Sequence, residues 1–203
     1  MTQAAELTPA ARKILDAAAE LFYGRGITAV GVDLIAKEAG VTKKTLYDRF
    51  GSKEALVAAY LGERDERWRE WLTARVLSDD AGAGPCERIL RTFDALEEWV
   101  RRENPRGCGF VNAAAELPDP RHPGRKVITG QKRWLRDFLR ELAVEAGAAD
   151  PGRLADELVL LHEGATVLGG LHVVAGPVAA ARSMARGALV REGCQGGAGA
   201  QAQ

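Results

Sequence analysis

The chain has 203 residues, of which 46% are hydrophobic and 28% charged, and 28 Lys and Arg balance 28 Asp and Glu. This composition excludes a disordered or fibrous protein and is typical of one or two globular domains. The formal net charge of zero does not exclude nucleic-acid binding, because phosphates are met by a local cluster of cations and not by the average charge.

Neither secretion nor membrane insertion is expected. Residues 1–13, MTQAAELTPAARK, lack the apolar stretch of a secretory signal. The apolar stretch from Leu158 to Ala181 contains His162, Glu163 and His172 and two glycine-containing breaks, so we do not interpret it as a membrane span. The cysteines are odd in number and form no CxxC pair, which favours reduced thiols in a cytoplasmic protein; they are Cys86, Cys108 and Cys194.

Apolar residues recur at helical spacing along the chain, and no alternating strand pattern competes with them. Thr8 and Pro9 predict the start of a first helix, which Gly24 and Gly26 end. Further helices are predicted at about 32–39, 43–50, 52–76, 86–102, 108–117, 124–146, 153–174 and 177–192. The low-complexity segment 193–203 is predicted to be disordered.

The segment VDLIAKEAGVTKKTLYDRF, residues 32–50, has the spacing of a helix-turn-helix. Ala36 is small where two helices would cross, Gly40 can adopt the positive φ of a tight helix end, and Leu46 would fill the space between the helices. Thr42 would cap the next helix and leave its N-terminus open to phosphate. The predicted core of this motif is Ile35, Ala36, Gly40, Val41, Leu46 and Phe50.

The outward face of the predicted helix 43–50 is rich in cations. Residues 42–53 contain Lys43, Lys44, Arg49 and Lys53 against the single acid Asp48. Long cations interleaved with hydroxyl and phenol donors are typical of a helix in the major groove of DNA. The spacing alone is also compatible with an ordinary solvated helical corner.

A resemblance to a known protein family is more specific than the spacing alone. ARKILDAAAELFYGRG followed by AxxAGVTKxTLYxxFGSKEAL, about fifty residues, resembles the N-terminal DNA-binding region of the TetR family of transcriptional regulators. The resemblance implies that Tyr47 and Lys53 contact phosphates, that Lys44 and Thr45 lie near bases, and that Thr42 also contacts DNA. Lys43 and Arg49 are expected as additional phosphate contacts.

The chain departs from the family at two places. The family usually begins its second helix with Thr or Ser, where this chain has Val30 and Gly31, so that phosphate contact is not expected. Asp48 stands where the family often has His or Asn. A carboxylate that faces phosphate would be repelled, so Asp48 either pairs with Lys44 one turn back or accepts from a cytosine amine.

The rest of the chain resembles the family in architecture, and one segment, residues 106–123, is similar to a stretch that recurs in a subgroup. Stripes of small and aliphatic residues in the last two helices predict a four-helix dimer interface, although an ordinary buried helix pair would show the same stripes. The predicted interface residues are Leu158, Leu161, Ala165, Leu168, Gly169, Ser183 and Leu189.

An effector cavity is expected in the helical body, apolar with a few polar anchors. Asn112 and Glu116, one helical turn apart, are the candidate anchors, although aromatic residues at this spacing are more often plain core. The full candidate set is Trp68, Trp71, Phe93, Phe110, Asn112, Glu116, Trp134, Phe138 and His162.

The sequence contains no recognisable catalytic or metal-binding motif. No GxSxG, CxxC, HxxxH or phosphate-binding GxxxxGK[ST] occurs, and His162 and His172 would lie about 15 Å apart along one helix, too far to share a metal. We therefore expect no catalysis, metal or cofactor. Cys108 between two glycines is either a redox-reactive thiol or a small buried one.

The sequence thus predicts an all-α protein of about nine helices. Its expected domains are a helix-turn-helix DNA-binding domain at 1–51, an effector-binding and dimerisation domain at 52–192, and a disordered tail at 193–203. The resemblance implies a cytoplasmic, nucleoid-associated regulator that binds a palindromic operator on double-stranded DNA as a homodimer. We expect a repressor released by an unknown small molecule, with activation left open. Alternatives are a DNA-binding adaptor whose body binds a protein, and a redox sensor that acts through Cys108.

Overall fold

The computed structural model describes residues 7–78 and 84–194. Within these ranges the chain forms nine α-helices and no strand, which confirms the all-α prediction. The helices are α1 Pro9–Arg25, α2 Val32–Glu38, α3 Lys43–Phe50, α4 Lys53–Val76, α5 Pro85–Glu103, α6 Gly109–Glu116, α7 Pro123–Glu145, α8 Pro151–Leu171 and α9 Pro177–Arg191. In this described part of the chain, no helix has the length and apolarity needed to cross a bilayer.

Proline and capping side chains set most helix starts. A proline at the first position has no N–H to leave unsatisfied and its fixed φ suits the helix, which explains why five helices begin with one. These are Pro9, Pro85, Pro123, Pro151 and Pro177. Thr8 caps α1 by accepting a hydrogen bond from the Ala11 N–H at 3.3 Å, and Ser52 caps α4 by accepting from the Ala55 N–H at 3.1 Å.

The end of α8 differs from its prediction. We expected this helix to run to 174, but it ends at Leu171, and His172 adopts the left-handed conformation with φ +55°. The side chains of Val173 and Val174 are 67% and 40% exposed. Because both residues are apolar, the sequence pattern predicted that they belong to the helix, although they lie beyond the turn that ends it.

The chain divides into two compact units. Of the described residues, the first unit contains 7–66 and 109–130, and the second contains 67–78, 84–108 and 131–194. In the first unit α1, α2 and α3 pack on one another, with Ile14, Ile35 and Leu46 fully buried. The functional boundaries predicted at 51 and 192 stay predictions.

In the second unit α5, α8 and α9 pack together around a large apolar core. Phe93, Leu154 and Leu158 are fully buried there, and α9 adds Ala181, Ala185 and Leu189.

The C-terminal end of this unit includes part of the predicted tail. Cys194 is buried and its N–H donates to the Leu189 carbonyl at 2.9 Å, so residues 193 and 194 belong to the folded unit. The rest of the predicted tail, 195–203, lies outside the described residues.

Candidate DNA-binding surface

A tight turn joins α2 to α3. Gly40 has φ +64°, a backbone conformation that side chains with a Cβ rarely adopt, and the Val41 N–H donates to the Ala36 carbonyl at 3.0 Å. This hydrogen bond satisfies a carbonyl at the end of α2 and turns the chain toward α3. The turn is the one that the sequence predicts at Gly40.

The predicted core of the helix-turn-helix is buried to different degrees. Ile35, Ala36 and Leu46 are buried, whereas Val41 and Phe50 are half-buried. Gly40 is exposed, so it supplies the backbone conformation of the turn and not packing. Leu46 faces inward from the middle of α3, Thr45 beside it is half-buried, and Lys44 and Tyr47 are exposed on the outer side.

Thr42 caps the N-terminus of α3, as predicted. Its hydroxyl accepts a hydrogen bond from the Thr45 N–H at 3.1 Å, and the two threonine hydroxyl oxygens lie 2.9 Å apart. The first N–H groups of a helix have no partner within it, so the exposed start of α3 can accept an anion such as a phosphate.

The outward residues of α3 include solvent-exposed cations, one phenol and one acid. Lys44, Asp48 and Arg49 are exposed, and the Tyr47 side chain is 41% exposed. Among the described residues no ion pair joins Asp48 to Lys44, so the contact of this carboxylate with a cytosine amine stays a prediction.

Two of the predicted DNA contacts have partners within the protein. The Lys43 ammonium lies 3.1 Å from the Asp33 carboxylate on α2. The Lys53 ammonium donates to the Ile27 carbonyl at 2.7 Å and lies 6.0 Å from the centroid of the Phe22 ring. Lys53 therefore also holds the loop between α1 and α2.

The opposite side of that loop is held by α6. The Thr28 N–H donates to Glu116 Oε2 at 2.7 Å, a contact between residues 88 positions apart. Glu116 is therefore engaged with the α1–α2 loop, and Asn112 is exposed, so the role of these two side chains as effector anchors stays a prediction. A spacing of 88 residues gives no local signal, and sequence reasoning missed this contact.

The predicted effector residues fall in both units. Phe110, Asn112 and Glu116 belong to the first unit; the second contains Trp68, Trp71, Phe93, Trp134, Phe138 and His162. In the second unit the Trp71 indole donates to the Ala95 carbonyl at 3.0 Å, and the Trp134 and Phe138 rings stack 5.2 Å apart. Trp68, Phe93 and His162 are the buried members of the predicted set in this unit, and Phe110 is buried in the first unit.

His162 is fully buried and neutral. Its Nε2 lies 2.9 Å from the Thr92 hydroxyl, which already donates its hydrogen to the Ile89 carbonyl at 2.7 Å. With the Thr92 hydrogen directed to the Ile89 carbonyl, the imidazole donates from Nε2 and Nδ1 is an acceptor; this assigns the tautomer from the hydrogen-bond network. Burial, and to a smaller extent the charge of Lys132, lowers the His162 pKa to about 3.

Three buried polar atoms in this unit have no hydrogen-bond partner among the described residues: Trp68 Nε1, Gln131 Oε1 and His162 Nδ1. Most buried polar atoms in folded proteins are paired, because an unpaired one costs about 1–3 kcal/mol. One donor and two acceptors therefore stay available in the interior of the second unit.

A cluster of reactive side chains adjoins the start of α6. Lys132 Nζ lies 3.3 Å from Cys108 Sγ and 2.7 Å from Glu163 Oε1. Burial lowers the pKa of Lys132, but the adjacent sulfur and carboxylate outweigh burial and leave this pKa above its ordinary value. In the described part of the chain, no group of three or more His, Cys, Asp and Glu residues could hold a metal ion.

The predicted dimer interface is partly internal. Leu158, Ala165 and Leu189 are buried in the core of their own unit and leave no surface for a partner, so this part of the prediction is wrong. Leu161 and Gly169 are half-buried, and Leu168 and Ser183 are exposed. The stripe of small and aliphatic residues on α8 is wide, and only one side of it is covered by α5 and α9.

Other residues on the uncovered side were missed. Leu160 is 71% and Met184 61% exposed, and with Leu161 and Gly187 they line an open groove of about 470 Å³ between α8 and α9.

Comparisons with known proteins give matches to one family of regulators along most of the chain. Residues 14–60 match the bacterial regulatory proteins of the tetR family, and residues 85–185 match the tetracyclin repressor-like C-terminal domain. The transcriptional regulator YjdC of Escherichia coli is 28% identical over 154 residues, which cover 74% of this chain and 78% of that protein. The repressor KstR2 of Mycobacterium tuberculosis is 33% identical over 106 residues, covering 52% of this chain and 51% of KstR2.

Two solved structures match nearly the whole chain. A putative TetR regulator of Streptomyces avermitilis is 32% identical with a TM-score of 0.79, and the match covers 93% of this chain and 100% of that one. The TetR-family regulator SCO4454 of Streptomyces coelicolor is also 32% identical, with a TM-score of 0.82 and coverage of 91% and 96%.

Proposed function

The chain belongs to the TetR family of bacterial transcription regulators, and we propose that it is a homodimeric repressor that a small molecule releases from a palindromic operator. Transcription regulation and DNA binding are properties of the family. The repressor role, the dimer, the effector and a cytoplasmic location at the nucleoid are our proposals. KstR2, a relative named as a repressor, supports the first of them.

The exposed face of α3 is the observation that supports DNA contact most directly. Lys44, Tyr47 and Arg49 point away from a helix whose inner face is occupied by Leu46. Cations and hydroxyl donors on such a helix hold phosphates and reach base edges in the major groove. We assign Tyr47, Arg49, Lys43 and Lys53 to phosphates, Thr42 to the backbone near the helix start, and Lys44 and Thr45 to bases.

The salt dependence of binding tests this assignment. For a protein with 6–10 phosphate contacts, affinity for a duplex selected from a random pool should fall by about 10³- to 10⁵-fold between 50 and 200 mM salt. Tyr47→Phe should weaken binding to all sequences equally. Thr45→Ala should relax the sequence preference at one position by about 1–3 kcal/mol. An unchanged sequence preference in Thr45→Ala would remove Thr45 as a base reader.

The groove between α8 and α9 is the proposed dimer surface. Leu160 and Met184 are large apolar side chains exposed on neighbouring helices, and Arg191 and Glu157 border them as an ion pair at 2.8 Å. An apolar patch with a polar rim is typical of a protein interface. A two-fold dimer would place two copies of α3 about 34–36 Å apart, one turn of DNA.

Sedimentation tests the dimer surface. Leu160→Glu would place a charge in the interface, so we expect a folded monomer that unfolds at a lower temperature than the wild-type dimer, because it loses the stabilisation by its partner. Val144→Glu, at a 54% exposed position on α7, is the matched control and should remain a dimer. A dimer in both variants would place the interface elsewhere.

The buried polar atoms of the second unit support an effector site there. His162 Nδ1 and Gln131 Oε1 can accept hydrogen bonds, and Trp68 Nε1 can donate one. A few such groups among aromatic side chains are typical of small-molecule sites. Screening compounds by thermal shift on wild type and on His162→Leu tests this, since a ligand of this site should stabilise only the wild type. If stabilising compounds act equally on both, His162 is not in the site.

A thiol sensor is the second candidate, and the 3.3 Å contact between Lys132 Nζ and Cys108 Sγ favours it. An ammonium group stabilises negative charge that develops on sulfur during a reaction. Hydrogen peroxide would oxidise this sulfur to a sulfenic acid and be reduced to water. Under this candidate peroxide releases the wild type from DNA, and Cys108→Ser stays bound. If both proteins respond equally, the thiol is not the sensor.

A further inference from the structure

The peptide group between Ile27 and Thr28 is held at both ends by opposite charges. The Lys53 ammonium at the start of α4 donates to its carbonyl oxygen at 2.7 Å, and its N–H donates to the Glu116 carboxylate at the end of α6, also at 2.7 Å. All four residues belong to the first unit. Charge-assisted hydrogen bonds are about twice as strong as neutral ones, so this one peptide is fixed more firmly than an ordinary loop peptide.

The start of α2 depends on this loop. Its N-cap residue, Gly31, has no side chain to cap the helix. The loop that leads to it is fixed by the buried side chains of Ile27 and Val30 and by the two charged contacts. Gly26 allows Glu116 to approach, because a Cβ on Gly26 would lie only 3.1 Å from the carboxylate.

The position of α2 in turn determines that of α3. The two helices are joined by the tight turn at Gly40, and Lys43 on α3 pairs with Asp33 on α2. A displacement of the α1–α2 loop therefore moves the surface that faces DNA.

Helix α6 is attached to the same unit at further points. The Arg125 side chain donates to the Ala114 carbonyl at 3.0 Å, and the Arg64 guanidinium occupies the space that a Cβ on Gly109 would need. The end of α6 is thus a part of the first unit, although residues 67–108 separate it along the chain from residues 1–66 of that unit.

We propose that Glu116 and Lys53 are positioning residues for DNA binding, which hold the Ile27–Thr28 peptide from both ends and thereby fix the start of α2. The inference rests on the proposed contact of α3 with DNA. It gives α6 a direct route to the recognition helix: any shift of α6 that withdraws the Glu116 carboxylate frees this peptide and weakens DNA binding.

The sign of the effect separates positioning from simple electrostatics. Removal of a negative charge from a DNA-binding unit should tighten binding through reduced repulsion. Positioning predicts the opposite: Glu116→Gln should bind a selected duplex about 5-fold, and Glu116→Ala about 10-fold, more weakly, in line with the loss of a charge-assisted hydrogen bond. Glu20→Gln, which neutralises an exposed acid on α1, is the matched control and should bind as tightly as wild type or more tightly.

Two further measurements exclude a merely structural role. The Thr28 amide should exchange with solvent about tenfold faster in Glu116→Ala than in wild type, because it loses its acceptor. The slope of log affinity against log salt should not change, since Glu116 touches no phosphate.

The possible outcomes separate a failure of the proposed function from a failure of the positioning role alone. If the wild type ignores duplex DNA at low salt, the proposed function fails and this inference fails with it. If the wild type binds but Glu116→Gln and Glu116→Ala bind equally well or better, only the positioning role is overturned. Unchanged exchange at Thr28 in Glu116→Ala would also overturn it.

Discussion

The α3 surface and the second unit use the same kinds of charged residue in opposite ways. In the second unit arginines meet acids on neighbouring helices: Arg182 contacts Asp94 at 2.8 Å and Glu87 at 3.1 Å, and Arg136 contacts Asp156 at 2.6 Å. On α3, Lys44 and Arg49 are exposed and form no ion pair among the described residues.

This difference explains how a chain with a net charge of zero can bind a polyanion. Where cations are paired within the protein, their charge is neutralised locally and joins one helix to another. Where they are left without acids, the local potential is positive and attracts phosphate. The informative property of a lysine or arginine is therefore its pairing in the fold and not its presence in the sequence.

Reversing one charge on α3 should have the largest effect. Lys44→Glu replaces a cation at the proposed DNA surface with an acid, so we expect about 100-fold weaker binding, with an unchanged unfolding temperature because the Lys44 side chain is exposed. Fluorescence anisotropy with a labelled duplex measures it. Arg133→Glu, at an exposed position on α7, is the control and should bind DNA as the wild type does. Equal losses in both variants would show that total charge, not the α3 surface, governs binding.

The second unit should instead respond in stability. A Cβ on Gly170 would lie 2.5 Å from the Gly107 backbone nitrogen, so Gly170→Ala must displace backbone and should lower the free energy of unfolding by about 2–3 kcal/mol. Gly164→Ala in the same helix meets nothing within 4 Å and should raise it by about 0.5–1 kcal/mol. Urea unfolding of both variants measures the contrast, which would be refuted if the two changes had the same sign.

His162 should make the second unit sensitive to acid. Its pKa is about 3 in the folded protein against 6.5 as the ordinary value, so the unfolded chain binds the proton more readily. Stability is therefore complete above about pH 6.5 and is lost as the pH falls toward 3, by about 2 kcal/mol between pH 7.5 and 5.0. In His162→Gln the difference between unfolding at these two pH values should shrink by that amount. The same pH difference in both proteins would contradict a neutral, buried imidazole.

Breaking an ion pair of the second unit should have the smallest effect. Arg182→Ala removes contacts with two half-exposed acids, so it should cost less than about 1 kcal/mol of stability and leave DNA affinity unchanged. Arg133→Ala is the matched control, because Arg133 is exposed and forms no ion pair with any residue in 7–78 or 84–194. A large loss of DNA affinity in Arg182→Ala would show that a paired arginine of the second unit also contributes to DNA binding, which contradicts the contrast with α3.

Much of the fold was predictable because the residues that begin and end its helices act locally. Thr8, Ser52 and Thr42 cap helices within three residues of themselves, and Gly40 turns the chain where the spacing predicts it. The helix-turn-helix is a short, local motif, so its residues could be named from the sequence.

The body was less predictable because an apolar stripe does not reveal what covers it. Leu158 and Leu160 lie two positions apart on α8, yet the first is fully buried and the second 71% exposed. Likewise, the approach of Glu116 to Thr28 depends on how distant helices pack, and no periodicity in the sequence encodes it.

The hydroxyls of Thr42 and Thr45, 2.9 Å apart, have two hydrogens between them, and their mutual bond uses one. The pair therefore has a single spare hydrogen to offer to a nucleic acid. If Thr42 gives it to a phosphate, Thr45 can only accept at the base it faces, and a purine or pyrimidine oxygen there would be refused. Under the proposed contacts, one hydrogen atom would thus serve either the phosphate contact of Thr42 or the base contact of Thr45.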